Sequence, residues 1–199
     1  MQSQAVISPN LPRSILLLWL GLALILGASG VLNSFPPPGP QLVLLGLSAL
    51  AIWVGTRAGP IRDWIDRLPI QAFPVLHLIR FVGIWFLIMA ARGELSATFA
   101  NAAGIGDIIA ASGAVLLLVL GEPSTRAKRA AWLTWNTVAM LDWVAVLASV
   151  TLVTLQGRQD ELAPLLRLPF SLLPTFIVPV LIASQVFLFR RLRNGSSHA

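Results

Sequence analysis

The sequence predicts an all-α fold, a polytopic transmembrane helix bundle of about six spans with one short amphipathic helix at the interface. Three observations carry this. The 199 residues are 56% hydrophobic and only 11% charged, against about 25% charged in a soluble domain. Mean hydropathy is +0.81. The apolar residues also fall in blocks near the roughly 20 needed to cross a bilayer. The whole length, 1–199, is accounted for by a single bundle.

The first span is expected over 14–32, closed by the breaker "NSFPPPGP" (33–40). Its run "SILLLWLGLALILG" after Arg13, followed by "ASG", also has the form of a cleavable signal peptide. Cleavage would leave the orientation of the remaining spans unchanged. The second span, 41–55, stops at Arg57. In "GPIRDWIDRLPI" (59–70), Ile61, Trp64, Ile65 and Leu68 recur at i, i+3, i+4 and i+7. Arg62–Asp66 and Asp63–Arg67 are spaced to pair on the remaining surface, which predicts either a helix lying flat at the interface or an ordinary loop with a helical turn. Further spans are expected over 70–91, 106–120, 130–155 and 164–189. Trp19, Trp53, Trp64 and Trp132 fall near span ends, where indole rings favour the headgroup zone.

Basic residues set the expected orientation. Arg13, the group Arg57, Arg62 and Arg67, the group Arg126, Lys128 and Arg129, and the group Arg190, Arg191 and Arg193 put ten on one side. Arg92, Arg158 and Arg167 put three on the other, and Arg80 lies inside a span. Ten against three predicts both termini in the cytoplasm, which an even number of spans requires. The net charge of +6 then belongs to loops held against anionic lipid, and nucleic acid is not an expected partner. Zero cysteines exclude disulfides, iron–sulfur clusters and thiolate zinc sites. With only His77 and His198, a multi-histidine metal site within one chain is not expected, and no cofactor is identified.

The polar residues inside apolar blocks are the candidate binding site: His77, Arg80, Asp107, Asn136, Asp142 and Gln185. A charge at the bilayer centre costs about 2.5–3.5 kcal/mol on insertion scales, so it needs a partner. Arg80 lies thirteen residues beyond Arg67 and Asp142 thirteen beyond Arg129, which places both about 20 Å into their spans. Equal depth and opposite charge predict an Arg80–Asp142 pair. That pair serves a ligand or simply fixes helix register. His77 shares a helix face with Arg80 and suits a proton acceptor, a single axial ligand or a hydrogen-bond donor to a polar headgroup, or is simply satisfied by a backbone carbonyl. Asn136, a turn and a half before Asp142, is expected to face another way, with Trp132 and Trp143.

"GIGD" (104–107) matches the G-x-G-D string of intramembrane aspartyl proteases such as presenilins and prepilin peptidases, with Asp142 as the second carboxylate they need. Asp142 follows that string instead of preceding it as in presenilins, and no P-A-L string occurs. The expected span also puts Asp107 near its outer end. The plainer expectation is a glycine-permitted turn before an N-terminal aspartate, with Gly106, Ala110 and Ala114 as a small-residue packing stripe. In the last span Pro169, Pro174 and Pro179 each delete a backbone donor. The freed carbonyls need protein or cavity partners, and Ser171, Thr175, Ser184 and Gln185 are at hand. No catalytic residue is assigned.

"GIGD", "WNTVAMLD" (135–142) and "LPFSLLPTFIVPVLIASQ" (168–185) resemble an uncharacterised group of bacterial multi-pass membrane proteins, over about the last two-thirds of the chain from His77 onward. The resemblance implies a bacterial inner membrane and no particular activity. The leading expectation is a non-enzymatic protein that binds or moves a small or amphiphilic ligand. In that reading Arg80 takes an anionic or carbonyl group, Asp142 holds Arg80, and the last helix adjusts around its prolines. The alternatives are a structural or accessory subunit meeting a protein partner or a second copy, and an intramembrane hydrolase using Asp107 and Asp142.

Overall fold

The computed structural model describes residues 10–57 and 59–194, so His198 lies outside the described residues. The order is α1 (Asn10–Ser29), α2 (Gly39–Thr56), α3 (Pro60–Arg67), α4 (Ala72–His77), α5 (Gly83–Ala91), α6 (Ala97–Leu120), α7 (Arg126–Leu155) and α8 (Val178–Asn194). A 3-10 segment, Leu78–Val82, joins α4 to α5, and a π segment, Leu173–Ile177, leads into α8. Six helical stretches among the described residues are long and apolar enough to cross a membrane: α1, α2, the run Ala72–Ala91, α6, α7 and the run Leu173–Arg193. No strand occurs among the described residues. The chain is an all-α bundle with the character of a multi-pass membrane protein.

Its two ends differ. At the arginine-rich end, α3 packs against α1 and α2, and Asp66 pairs with both Arg62 and Arg190. Arg191 donates to the Leu68 carbonyl at 2.6 Å. Asp63 and Arg67, spaced to pair, do not. The apolar stripe of α3 faces the bundle: Ile65 is buried in a core with Phe73, Ala114, Leu117, Trp132 and Phe187, and Ile61 and Trp64 pack against it. Trp132 belongs to this core and not to a belt: it is fully buried, and its indole donates to the Gly121 carbonyl at 3.1 Å. At the arginine-poor end a second core gathers Phe86, Met89, Leu95, Phe99, Val153 and Leu162. There the Ser96 amide donates to the Glu161 carbonyl at 3.2 Å, tying two loops together.

Two expected spans shift. α6 begins at Ala97, nine residues before the expected 106. Asn101, Gly104, Gly106 and Asp107 make its first half read as a loop, but small residues favour close packing and the aspartate is neutralised within the bundle. The last span begins at Leu173, not 164. Pro164 and Pro169 cannot donate into a helical ladder, and residues Gln159–Leu166 take 3-10 geometry instead.

The irregular start of the last span also fixes α1. Pro179 leaves the Thr175 carbonyl without its helical donor, and the Trp19 indole of α1 donates to it at 2.9 Å. The ring of Trp19 meets Phe176 edge-on at 5.2 Å. The Thr175 hydroxyl in turn donates to the Ser171 carbonyl at 2.7 Å, and the Val178 amide reaches Leu173, five residues back. Backbone groups freed at membrane depth are thus met from within the protein, as an environment without water requires.

Candidate functional site

The third span changes geometry where its polar residues lie. In a 3-10 turn, side chains three apart eclipse one another, so His77 and Arg80 both project into the bundle. Each is 1% exposed. The neighbouring α6 comes close because glycine faces glycine: a Cβ on Gly104 would lie 2.8 Å from the Gly83 carbonyl, and a Cβ on Gly83 would lie 2.8 Å from the Asp107 Cβ. That approach brings Asp107 to Arg80.

Arg80 bridges two carboxylates. Its Nε donates to Asp107 Oδ1 at 2.6 Å, and a terminal nitrogen pairs with Asp142 Oδ2. The other terminal nitrogen donates to the Ala139 carbonyl at 3.3 Å. The guanidinium lies over the Trp143 ring, 4.3 Å from its centre, an added attraction for a desolvated cation. On α6, Gly106 leaves room for Asp142, since a Cβ there would collide with Oδ1. Taking each ion out of water costs several kcal/mol, and only close pairing with hydrogen bonds offsets that.

The pair predicted from equal depth, Arg80–Asp142, is therefore present, and Asp107 joins it. Asp107 is not the N-terminal aspartate of a helix after a turn. It lies ten residues inside α6, about 15 Å from the helix start. The depth argument against an aspartyl dyad thus falls, but a guanidinium now stands on both carboxylates, which is not the arrangement of two acids sharing one proton.

Asn136 and Gln185 belong to the same polar layer through Trp143. The Trp143 indole donates to Gln185 Oε1 at 2.9 Å, and Asn136 Nδ2 donates to the Gln185 carbonyl at 3.1 Å. His77 forms a separate branch. Its Nε2 lies 3.1 Å from the Ser184 hydroxyl, which itself donates to the Leu181 carbonyl at 2.7 Å. With that hydroxyl hydrogen committed, Nε2 is the donor. The imidazole meets Trp135 edge-on at 5.2 Å.

A cavity of about 510 Å³ opens at the arginine-poor end and reaches this layer. Along α7, Trp143, Val146, Leu147, Val150 and Thr154 line it as one stripe, about 16 Å from floor to mouth at 1.5 Å per residue. Phe86, Phe99, Pro174, Ile177 and Leu181 make up much of the remaining wall, and residues from 33–41 and 159–166 form the rim. Arg80 and Asp107 are its charged floor; His77, Asn136, Asp142 and Gln185 are not among its lining residues. The six candidates therefore divide into two at the cavity and four behind it. The expectation that Arg80 offers itself to an anion meets two carboxylates already seated on it. Among the described residues, no group of three or more histidine, aspartate or glutamate side chains is placed to hold a metal ion.

Trp143 is not legible as a site residue. Its number, one beyond Asp142, is the available signal, since neighbours of an inward-facing charge often flank it. The small-residue stripe is used within the chain: Ala110 and Ala114 are buried in the first core, and Gly106 faces Asp142. The rim residues carry no motif at all.

No curated protein and no solved structure matches the chain. A family model described as a domain of unknown function, DUF8737, matches residues 39–193, from the start of α2 to the penultimate residue of α8. The chain belongs to the DUF8737 family.

Proposed function

We propose that this protein binds an amphiphilic small molecule in the cavity above Arg80 and Asp107, in the inner membrane of a bacterium. The observation that carries the reading is the form of the cavity: a long apolar shaft with a small charged floor at membrane depth. Pockets of about 300–1,000 Å³ with apolar walls and a few convergent polar groups are the usual form of small-molecule sites. Buried charge at this depth is costly and is ordinarily retained for a ligand pathway or a proton path. Ten basic residues at one end against three at the other favour both termini in the cytoplasm. The cavity then opens toward the outer face, and its ligand enters from there or from the outer leaflet.

Native mass spectrometry of the full chain released from mild detergent tests the binding. Wild type is expected to retain a small molecule that Val150→Trp, which fills the shaft, does not. Equal retention by both would overturn the reading. The absence of native cysteine makes orientation testable with Glu94→Cys and Glu122→Cys. A membrane-impermeant maleimide applied to intact cells is expected to label the first and spare the second.

A further inference from the structure

The charges at the cavity floor do not cancel. One guanidinium faces two carboxylates, so the layer carries a formal charge of −1 with all three ionised. Both carboxylates hold Arg80, but they are not equivalent. Asp142 binds Arg80 through Oδ2, its Oδ1 rests in steric contact with Gly106 without a described donor, and it does not line the cavity. Asp107 does line it, and only its Oδ1 bonds to Arg80. No described residue supplies a hydrogen bond to its Oδ2. Asp107 is only 6% exposed and lines the cavity, so this oxygen is an acceptor at the wall of an apolar shaft with no partner among the described residues.

We infer that the ligand is a cationic amphiphile whose N–H-bearing ammonium head seats on Asp107 at the cavity floor, with its apolar body along the α7 stripe. This deepens the proposed function and rests on it. The inference follows from what each head would meet. An anionic head would have to displace a carboxylate from Arg80 and would raise the local negative charge. A neutral hydroxyl could donate to Asp107 but would leave the excess charge uncompensated. An ammonium group donates to the open oxygen and brings the layer to neutrality, which an apolar surround rewards. The shaft fits a single chain: the stretch of wall formed by Val146, Leu147, Val150, Ile177 and Leu181 is aliphatic.

The test uses the full chain in lipid nanodiscs, titrated with dodecylamine, dodecanol and dodecanoate and read by tryptophan fluorescence, since Trp143 is at the floor. The expected result is saturable dodecylamine binding, on the order of tenfold or more tighter than dodecanol, with dodecanoate weakest. Asp107→Asn is expected to bring dodecylamine down to the dodecanol level. Should that variant fail to fold, Val146→Lys serves, because it places an ammonium one turn above the floor. It is expected to lose dodecylamine and gain dodecanoate. Dodecanol or dodecanoate binding as tightly as dodecylamine in wild type would overturn the cationic head while leaving the cavity reading intact. Dodecylamine binding unchanged in Asp107→Asn or Val146→Lys would do the same. Binding of no probe, or binding that Val150→Trp leaves unchanged, would overturn both.

Discussion

The two halves of the bundle use similar residues to opposite ends. Toward the arginine-rich end, α3 packs its apolar side into the bundle and the core closes around Trp132, Phe187 and Leu188, each buried. Toward the arginine-poor end, α6 and α7 still pack together in the second core, but a shaft remains between that core and the last span. The polar layer of Arg80, Asp107 and Asp142 is where one regime gives way to the other. Ion pairs differ in the same way. Arg158–Glu161 at the open end is a solvated surface contact, whereas the Arg80 bridge is removed from water and makes each member depend on the others. In a bundle surrounded by lipid, close packing and internal hydrogen bonds hold helices together, so the closed half supplies the rigidity that lets the other half stay open.

That contrast can be broken in graded steps, each read by thermal unfolding in detergent. The largest effect is expected from Trp132→Ala, which opens a void in the closed half and removes the hydrogen bond to Gly121; a loss on the order of 3 kcal/mol is expected. Gly106→Ala comes next, at about 1–3 kcal/mol, because its methyl group displaces Asp142 from the position beside α6. Val146→Ala, in the wall of the shaft, removes contacts that already face a cavity and is expected to cost under about 1 kcal/mol. Equal costs at Trp132 and Val146 would remove the distinction between the halves.

The smallest effect belongs to the surface pair. The hydrogen bond from Arg158 holds the Glu161 carboxyl below the usual carboxylate range. A depressed value means that the contribution of the pair is present at neutral pH and fades as pH falls through it. Glu161→Gln is expected to leave the neutral melting temperature almost unmoved and to remove that part of the acid dependence. A large shift at neutral pH would show that this exposed contact carries more than screening permits.

The architecture is legible because lipid imposes one rule on sequence: long apolar runs broken by charge and proline. The Arg80–Asp142 pair is legible from a count of thirteen residues on each of two spans. Asp107 is misplaced by its local pattern because glycine and a carboxylate together mimic a turn, and only the facing Gly83 on another helix shows that they build a crossing. The proline-freed carbonyl at Thr175 announces its need for a donor. That the donor is Trp19, 156 positions away, is a property of the fold that no local pattern contains. The cavity is the least legible part, since most of its wall is leucine, valine, isoleucine, phenylalanine and proline, indistinguishable in sequence from lipid-facing positions.

The central claim is that one guanidinium at membrane depth is held by two carboxylates and holds them in turn. The most direct measurement compares the melting temperature of Arg80→Met with that of the triple variant Arg80→Met/Asp107→Asn/Asp142→Asn. Arg80→Met alone strands two buried carboxylates and is expected to lose about 3–5 kcal/mol or fail to fold, whereas the triple variant, with no charge left in the layer, is expected to recover most of that loss. Wild-type stability in Arg80→Met alone, or no recovery on neutralising its partners, would contradict the account.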